Sequence, residues 1–460
     1  MEEWLNMNHK REEDSMTKRF LEAVEKHREL ILKAERYIWQ HPETGYREIE
    51  TSRYMEEAFE NLGYEIVRAE GITGFYSCID TERPGPTVLV LGELDAVLCP
   101  SHKDANPETG AVHSCGHHAQ CAALLGLAAA LKEPGILEDF CGKIKLCAVP
   151  AEELLEIEFR RELKKQGKIR YFGGKSEFLY RGYFDDVDLA FMVHTRSEFK
   201  AYQGGAIGCI AKNVTYKGVA AHAAAAWEGK NALYAATCGL NAVNAIRETF
   251  EEQDIIRVHP IITHGGEIVN GIPDCVQLES FVRGNSFGAI CEANKKVNRA
   301  LCGAALSLGC NIEIVDIPGY APLKVDMNLL QLAEEAVFMA VPDCDFKLES
   351  GVNSGSTDMG ELSCVMPVIH PYAGGAIGTC HGSDYYIIDP EAACVSSAKW
   401  QLVMLWLLLR SNAERADKII RDFQPMFAST QEYLEFVDRL NDEGDRIIYQ
   451  ENGTVEARID

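Results

Sequence analysis

Positive charge is scarce in this chain: 45 Lys and Arg residues stand against 70 Asp and Glu, a formal charge of −25. A surface of that sign repels phosphate backbones and anionic headgroups, so neither nucleic acid nor a membrane is expected as a partner. Long apolar runs are missing too. The longest, Trp400 to Leu409 (WQLVMLWLLL), has half of the ~20 residues that a spanning helix needs, and it reads as a buried helix. The opening segment MEEWLNMNHKREEDS has no apolar stretch followed by a small-residue cleavage site, so no secretory leader is expected. The sixteen cysteines show no framework spacing. In a long chain without a leader they read as reduced thiols, and the expected compartment is the cytoplasm. Internal repeats are absent. Gly174-Lys175-Ser176 ends like a phosphate-binding loop, but Ile169 occupies the position of its first glycine, which excludes that reading.

What remains is a globular chain of 460 residues, 47% hydrophobic and 25% charged, long enough for two or three domains. Three short apolar runs end in residues capable of metal or proton chemistry: PTVLVLGELD (86–95), KIKLCAVPAEE (143–153) and VDLAFMVH (187–194). Such runs between helix-like segments predict buried parallel strands of an α/β sheet, whose ligands bind beyond the carboxyl ends of the strands. Asp95, Glu152, Glu153 and His194 therefore point toward one crevice. The Ala- and Leu-rich segment Ala119 to Leu131 predicts a helix starting just after HSCGHH, where the helix dipole favours a thiolate. Residues 207–317 carry a strand-helix-strand-strand-helix-strand rhythm, the order of a ferredoxin-like module. The predicted architecture is thus a catalytic domain with a mixed, mainly parallel sheet flanked by helices, formed by residues 1–206 and 318–460, with an α+β domain at 207–317 inserted. The tail after Ser411 reads as helical and charged.

HSCGHH (113–118) is the densest chemical signal, with three of the chain's thirteen histidines and a cysteine in six residues. A lone histidine or cysteine is usually structural. Cys115 and His117, one residue apart in a loop entering a helix, can reach one point, and thiolate with imidazole suits zinc or a similar cation. Glu152 and Glu153 close an apolar strand, where adjacent residues point to opposite sides. One carboxylate can then hold a metal while the other faces water, as a metallohydrolase requires. His194 ends the next apolar run, where burial without a partner is costly and a ligand role accounts for it.

Taken in order, HSCGHH, PAEE, a strand ending in His, YKGVAAHAAAAWEGKNAL, GGEIVNGIPD and GTCHGSD resemble the M20 metallopeptidase and amidohydrolase family. Within it the likeness is to the branch of aminoacylase-like, indole-acetyl-amino-acid and aminobenzoyl-glutamate hydrolases. The resemblance implies metal ligands at Cys115, His117, Glu153, His194 and His381, with Glu152 as general base and Asp95 supporting the ligands from behind. Five ligands suit two divalent ions (Zn, Mn, Co or Ni) sharing a bridge, for which Cys115 is the candidate. His222 matches a histidine that reaches the partner subunit's active site in a homodimer built through the inserted lid domain. Asn270 and Arg283 fall where the family holds a substrate carboxylate. His370 lies outside this ligand set. The implied activity is hydrolysis of a small N-acyl amino acid or related amide. The alternatives are a dipeptidase, a catalytically silent small-molecule binder, and a thiol hydrolase using Cys115 and His117 without metal. Several positions depart from the pattern: His118 replaces an Asp, Gln120 a His, Glu93 an Asp and Leu98 a Pro. About seventeen extra residues occupy the region from Leu155 to Lys175.

Overall fold

The computed structural model describes residues 2–458, and side chains from Glu13 onward, so most of the segment read for a leader lies outside the described side chains. The chain forms two compact units. The first comprises the residues up to Gly205, Lys324–Val352 and Glu361–Thr430. Its six-stranded sheet runs in the order Ile66–Arg68, Phe75–Asp80, Lys143–Val149, Thr87–Glu93, Leu189–Phe191, Val368–Ile369. The first two pairings are antiparallel and the other three parallel, so the sheet is mixed. Thr87–Glu93 is buried along its whole length, as its unbroken apolar run requires of a strand covered on both faces. The helix His117–Leu131 is buried in all fifteen positions. Arg28–Trp39 and Ser397–Leu409 pack against it, and the latter continues a preceding π-turn at Glu391–Ser396. This apolar stretch of nineteen residues is long enough to cross a membrane, but 83% of its most apolar window is buried in the protein core.

The run VDLAFMVH does not stay in one strand. Leu189–Phe191 belongs to the large sheet, whereas His194–Thr195 pairs in parallel with Tyr372–Ala373 in a separate four-stranded sheet.

The second unit comprises Ala206–Leu323, Asn353–Gly360 and the chain from Gln431 on. Its central strand Gly208–Lys217 lies antiparallel between Cys275–Gly284 and Asn311–Pro318, and the helices Ala232–Ala245 and Phe287–Ser307 pack on this sheet. The second strand of the expected rhythm is instead two short pieces, Arg257–Val258 and Ile261–His264, both on Cys275–Gly284. Pro260 sits between them and has no N–H to give a ladder. A boundary also needs correction: the end of the tail does not belong with the first unit. Asp442–Asp445 pairs with Asn311–Pro318, closing an edge that would otherwise offer unpaired backbone groups.

Candidate metal centre

The strand Lys143–Val149 stops before the two glutamates, because Pro150 donates no hydrogen bond and Ala151 takes a left-handed φ of 55°. Strand alternation therefore does not set the directions of Glu152 and Glu153, contrary to the sequence reading. Specific hydrogen bonds do. The Glu153 N–H donates to Asp95 Oδ2 at 2.8 Å, and the Ala151 N–H donates to Glu48 Oε1 at 2.8 Å. The Glu153 carbonyl accepts from the guanidinium of buried Arg160, which also donates to the Phe172 carbonyl at 2.6 Å. Arg160 stands on the helix Ile157–Lys165, so the extra segment braces the glutamate loop.

Gly116 starts the helix of HSCGHH with φ 95°, and a Cβ there would lie 2.2 Å from Thr195 Oγ1. Only glycine fits this turn, which puts Cys115 and His117 on either side of it. His381 also has a left-handed φ, 64°, and its N–H donates to the Ser114 carbonyl at 2.8 Å. The last loop is thereby tied to the first motif.

These constraints gather the predicted ligands and Glu152 into one cluster. Cys115 Sγ lies 3.6 Å from His194 Nε2, and His381 Nε2 lies 2.7 Å from Glu153 Oε1. His117 Nδ1 contacts the Asp95 carbonyl at 2.9 Å and Asp95 Oδ1 at 3.1 Å. Those acceptors hold its proton on Nδ1 and leave the Nε2 lone pair inward, the usual arrangement of a ligating histidine. His117 Nε2 is buried with no hydrogen-bond partner and lies 4.0 Å from Glu152 Oε2. Cys115 belongs to two donor groups, one with His117 and His194 and one with Cys380 and His381, each spanning no more than 4.8 Å. That shared position suits a bridging ligand.

The charge balance calls for cations. Burial opposes a charge on His117, but Glu93, Asp95 and Glu152 outweigh it and push its pKa well above the ordinary value. His381, similarly opposed by burial, is pushed up to about 11 by Glu153 and Cys380. Carboxylates and thiols in such surplus take up either protons or metal. Sulfur and nitrogen donors on one tetrahedral zinc ion lie about 3.6 Å apart, the spacing of Cys115 and His194. The residues present fit divalent metal.

Three residues of this region were not singled out as functional from sequence. Glu93 Oε2 lies 3.2 Å from His117 Nε2, and its Oε1 pairs with buried Lys175 Nζ at 2.5 Å. Gln120 donates to Glu93 at 2.9 Å. The Gly-Lys-Ser decoy now has its explanation, since Lys175 serves this pair and a Cβ on Gly174 would lie 1.7 Å from the Pro150 carbonyl oxygen. No sequence signal joins Lys175 to a residue 82 positions away. His118 turns to Glu35 (3.4 Å) and Trp39, away from the donor groups. His370 stacks edge-on to His194 at 5.5 Å outside those groups, and burial pushes its pKa down to about 4.

His222, Asn270 and Arg283 belong to the second unit. His222 Nδ1 accepts from the Ala224 N–H at 3.0 Å, which leaves Nε2 outward on an exposed residue. His222 pairs with Gly271, next to exposed Asn270. Arg283 donates to Ser356 Oγ at 2.8 Å.

A crevice of thiol, imidazole and carboxylate donors beyond parallel strands, with one more carboxylate alongside, defines a hydrolase of the metal-dependent class. The chain belongs to peptidase family M20/M25/M40, whose sequence pattern matches residues 89–400. It is 30% identical over 376 residues to the Xaa-Arg dipeptidase of Mus musculus, covering 78% of this chain and 79% of that protein. A subunit of the p-aminobenzoyl-glutamate hydrolase of Escherichia coli is 27% identical, over 64% of this chain and 59% of its own length. A solved Bacillus subtilis structure, described as a dinuclear metal-binding peptidase of the M20 family, superposes with a TM-score of 0.62 at 19% identity, covering 84% of this chain and 99% of that one. That last likeness concerns the fold.

Proposed function

We propose that this hydrolase cleaves the amide bond of a small N-acyl amino acid or related amide, at a centre of two divalent ions (Zn, Mn, Co or Ni) held by Cys115, His117, Glu153, His194 and His381. The observation that carries the reading is Glu152, whose Oε2 stands 4.0 Å from the inward-facing Nε2 of His117, beside the donors. Bound divalent ions supply Lewis acidity, which polarises a carbonyl and makes a water more acidic. Glu152 takes the proton from the attacking water and returns it to the leaving nitrogen. Asp95 holds His117 in its ligating tautomer and the Glu153 backbone in place. His222 Nε2 polarises the scissile carbonyl in the partner's site of a homodimer built through the second unit, and Asn270 and Arg283 hold the substrate carboxylate. Exposed Trp227, Ile268 and Val269, close in sequence to His222 and Asn270, favour a covered face there.

A dipeptidase is the second reading, favoured by the mouse relative. The test strips the protein of metal, restores Zn, Mn, Co or Ni singly, and scores free amine released from matched N-acyl amino acids and free dipeptides. Activity should vanish on stripping and return with metal, and faster turnover of N-acyl substrates supports the first reading. Preference for free dipeptides establishes the second. Full activity in metal-free protein overturns both.

A further inference from the structure

We propose that Cys380 is an additional metal ligand, so that Cys115, Cys380 and His381 form a sulfur-rich pole selecting a thiophilic cation such as zinc. The inference rests on the metal-centre reading above and goes beyond the ligand set that the family resemblance implies. Cys380 Sγ lies 3.8 Å from Cys115 Sγ. Two thiolates on one tetrahedral zinc ion, each at about 2.3 Å, are about 3.8 Å apart. The donor atoms of Cys115, Cys380 and His381 all lie within 4.8 Å of one another.

The backbone accounts for the convergence of neighbouring side chains. In extended chain, Cys380 and His381 would point to opposite sides. The left-handed φ of 64° at His381 breaks that alternation, and its N–H bond to Ser114 anchors the loop one residue from Cys115. Two sulfurs at one pole shift preference from oxygen-seeking manganese toward zinc or cobalt.

The full-length protein, kept reduced and anaerobic, is stripped and loaded with Co²⁺ alone, and the thiolate-to-cobalt charge-transfer absorbance is read in the near ultraviolet. Cys380→Ser should lose half of the intensity if Cys115 binds one ion, or a third if Cys115 bridges two. Cys238→Ser, on the exposed surface, should lose none. Zinc affinity measured against a chelator should fall at least roughly tenfold in Cys380→Ser, the lower end of what losing even an outer partner costs. A measurement without any variant runs alongside: zinc should slow alkylation of Cys380 in the wild-type protein at least tenfold, mapped by mass spectrometry, and leave Cys238 unchanged. Full charge-transfer intensity in folded Cys380→Ser, or equal alkylation rates with and without zinc, overturns the proposal. Wild-type protein that binds no cobalt overturns the metal-centre reading itself, which is a separate result.

Discussion

Replacing Lys175 by Met removes one half of an ion pair that water cannot reach. The side chains of Lys175 and Glu93 are 0% and 1% exposed, with Nζ and Oε1 2.5 Å apart. At an effective dielectric of ~20 the attraction at that distance is about 6–7 kcal/mol, before the cost of desolvating both ions. Burial pushes the Glu93 carboxyl up, yet Lys175, with His117 next, holds it well below the ordinary carboxylate range. Without the ammonium a buried charge is left, a change that costs about 3–5 kcal/mol. The first unit has roughly 300 residues, and at about 2.1 cal/mol/K per residue its unfolding entropy converts that loss to a fall of about 5–8 °C in Tm. Calorimetry on wild type, Lys175→Met, Glu93→Gln and the double variant checks it. The double variant removes both charges of the pair together, and the amide oxygen introduced by Glu93→Gln can still accept from Gln120, so it should regain at least half of the loss. A fall under 1 °C in Lys175→Met, or a double variant no more stable than that single one, would refute a pair that is both buried and charged.

Glu152→Gln should keep its metal while kcat falls roughly 10²–10⁴-fold, and Glu153→Gln should lose metal; the reverse, read by metal analysis, would exchange the two roles. Glu48 should make stability depend on pH. Burial, with Asp95 next, pushes its carboxyl from 4.5 up to about 8, so the folded chain keeps a proton that the unfolded chain releases. Its contribution is complete below the unfolded value and is lost as pH rises through that window. Glu48→Gln can still accept from the Ala151 N–H and can donate to Thr73 Oγ, so its Tm relative to wild type should rise between pH 5 and pH 9; a constant difference refutes this. Inactive Glu152→Ala and His222→Ala proteins, unfolded and refolded together, should recover roughly a quarter of wild-type activity if each site draws on both subunits of a symmetric dimer. Verified mixed dimers without rescue would place His222 outside the partner's site.

Chemistry that lies close together along the chain was legible from sequence. HSCGHH needs only a glycine turn and a helix start to aim Cys115 and His117 at one point, and apolar runs ending in polar residues point to a crevice at strand ends. The rhythm of 207–317 likewise follows from local periodicity, because each strand and helix there buries its own apolar face. What tertiary structure alone decided is how distant segments meet. Glu153 is aimed by Asp95 and Arg160 rather than by strand alternation, since Pro150 and Ala151 end the strand first. Lys175 finds Glu93, Cys380 finds Cys115, and the tail strand Asp442–Asp445 joins the second unit. None of these pairings leaves a periodic trace, because a buried ion pair, a pair of thiols and an edge strand each require only that two surfaces meet in space, and sequence separation does not enter.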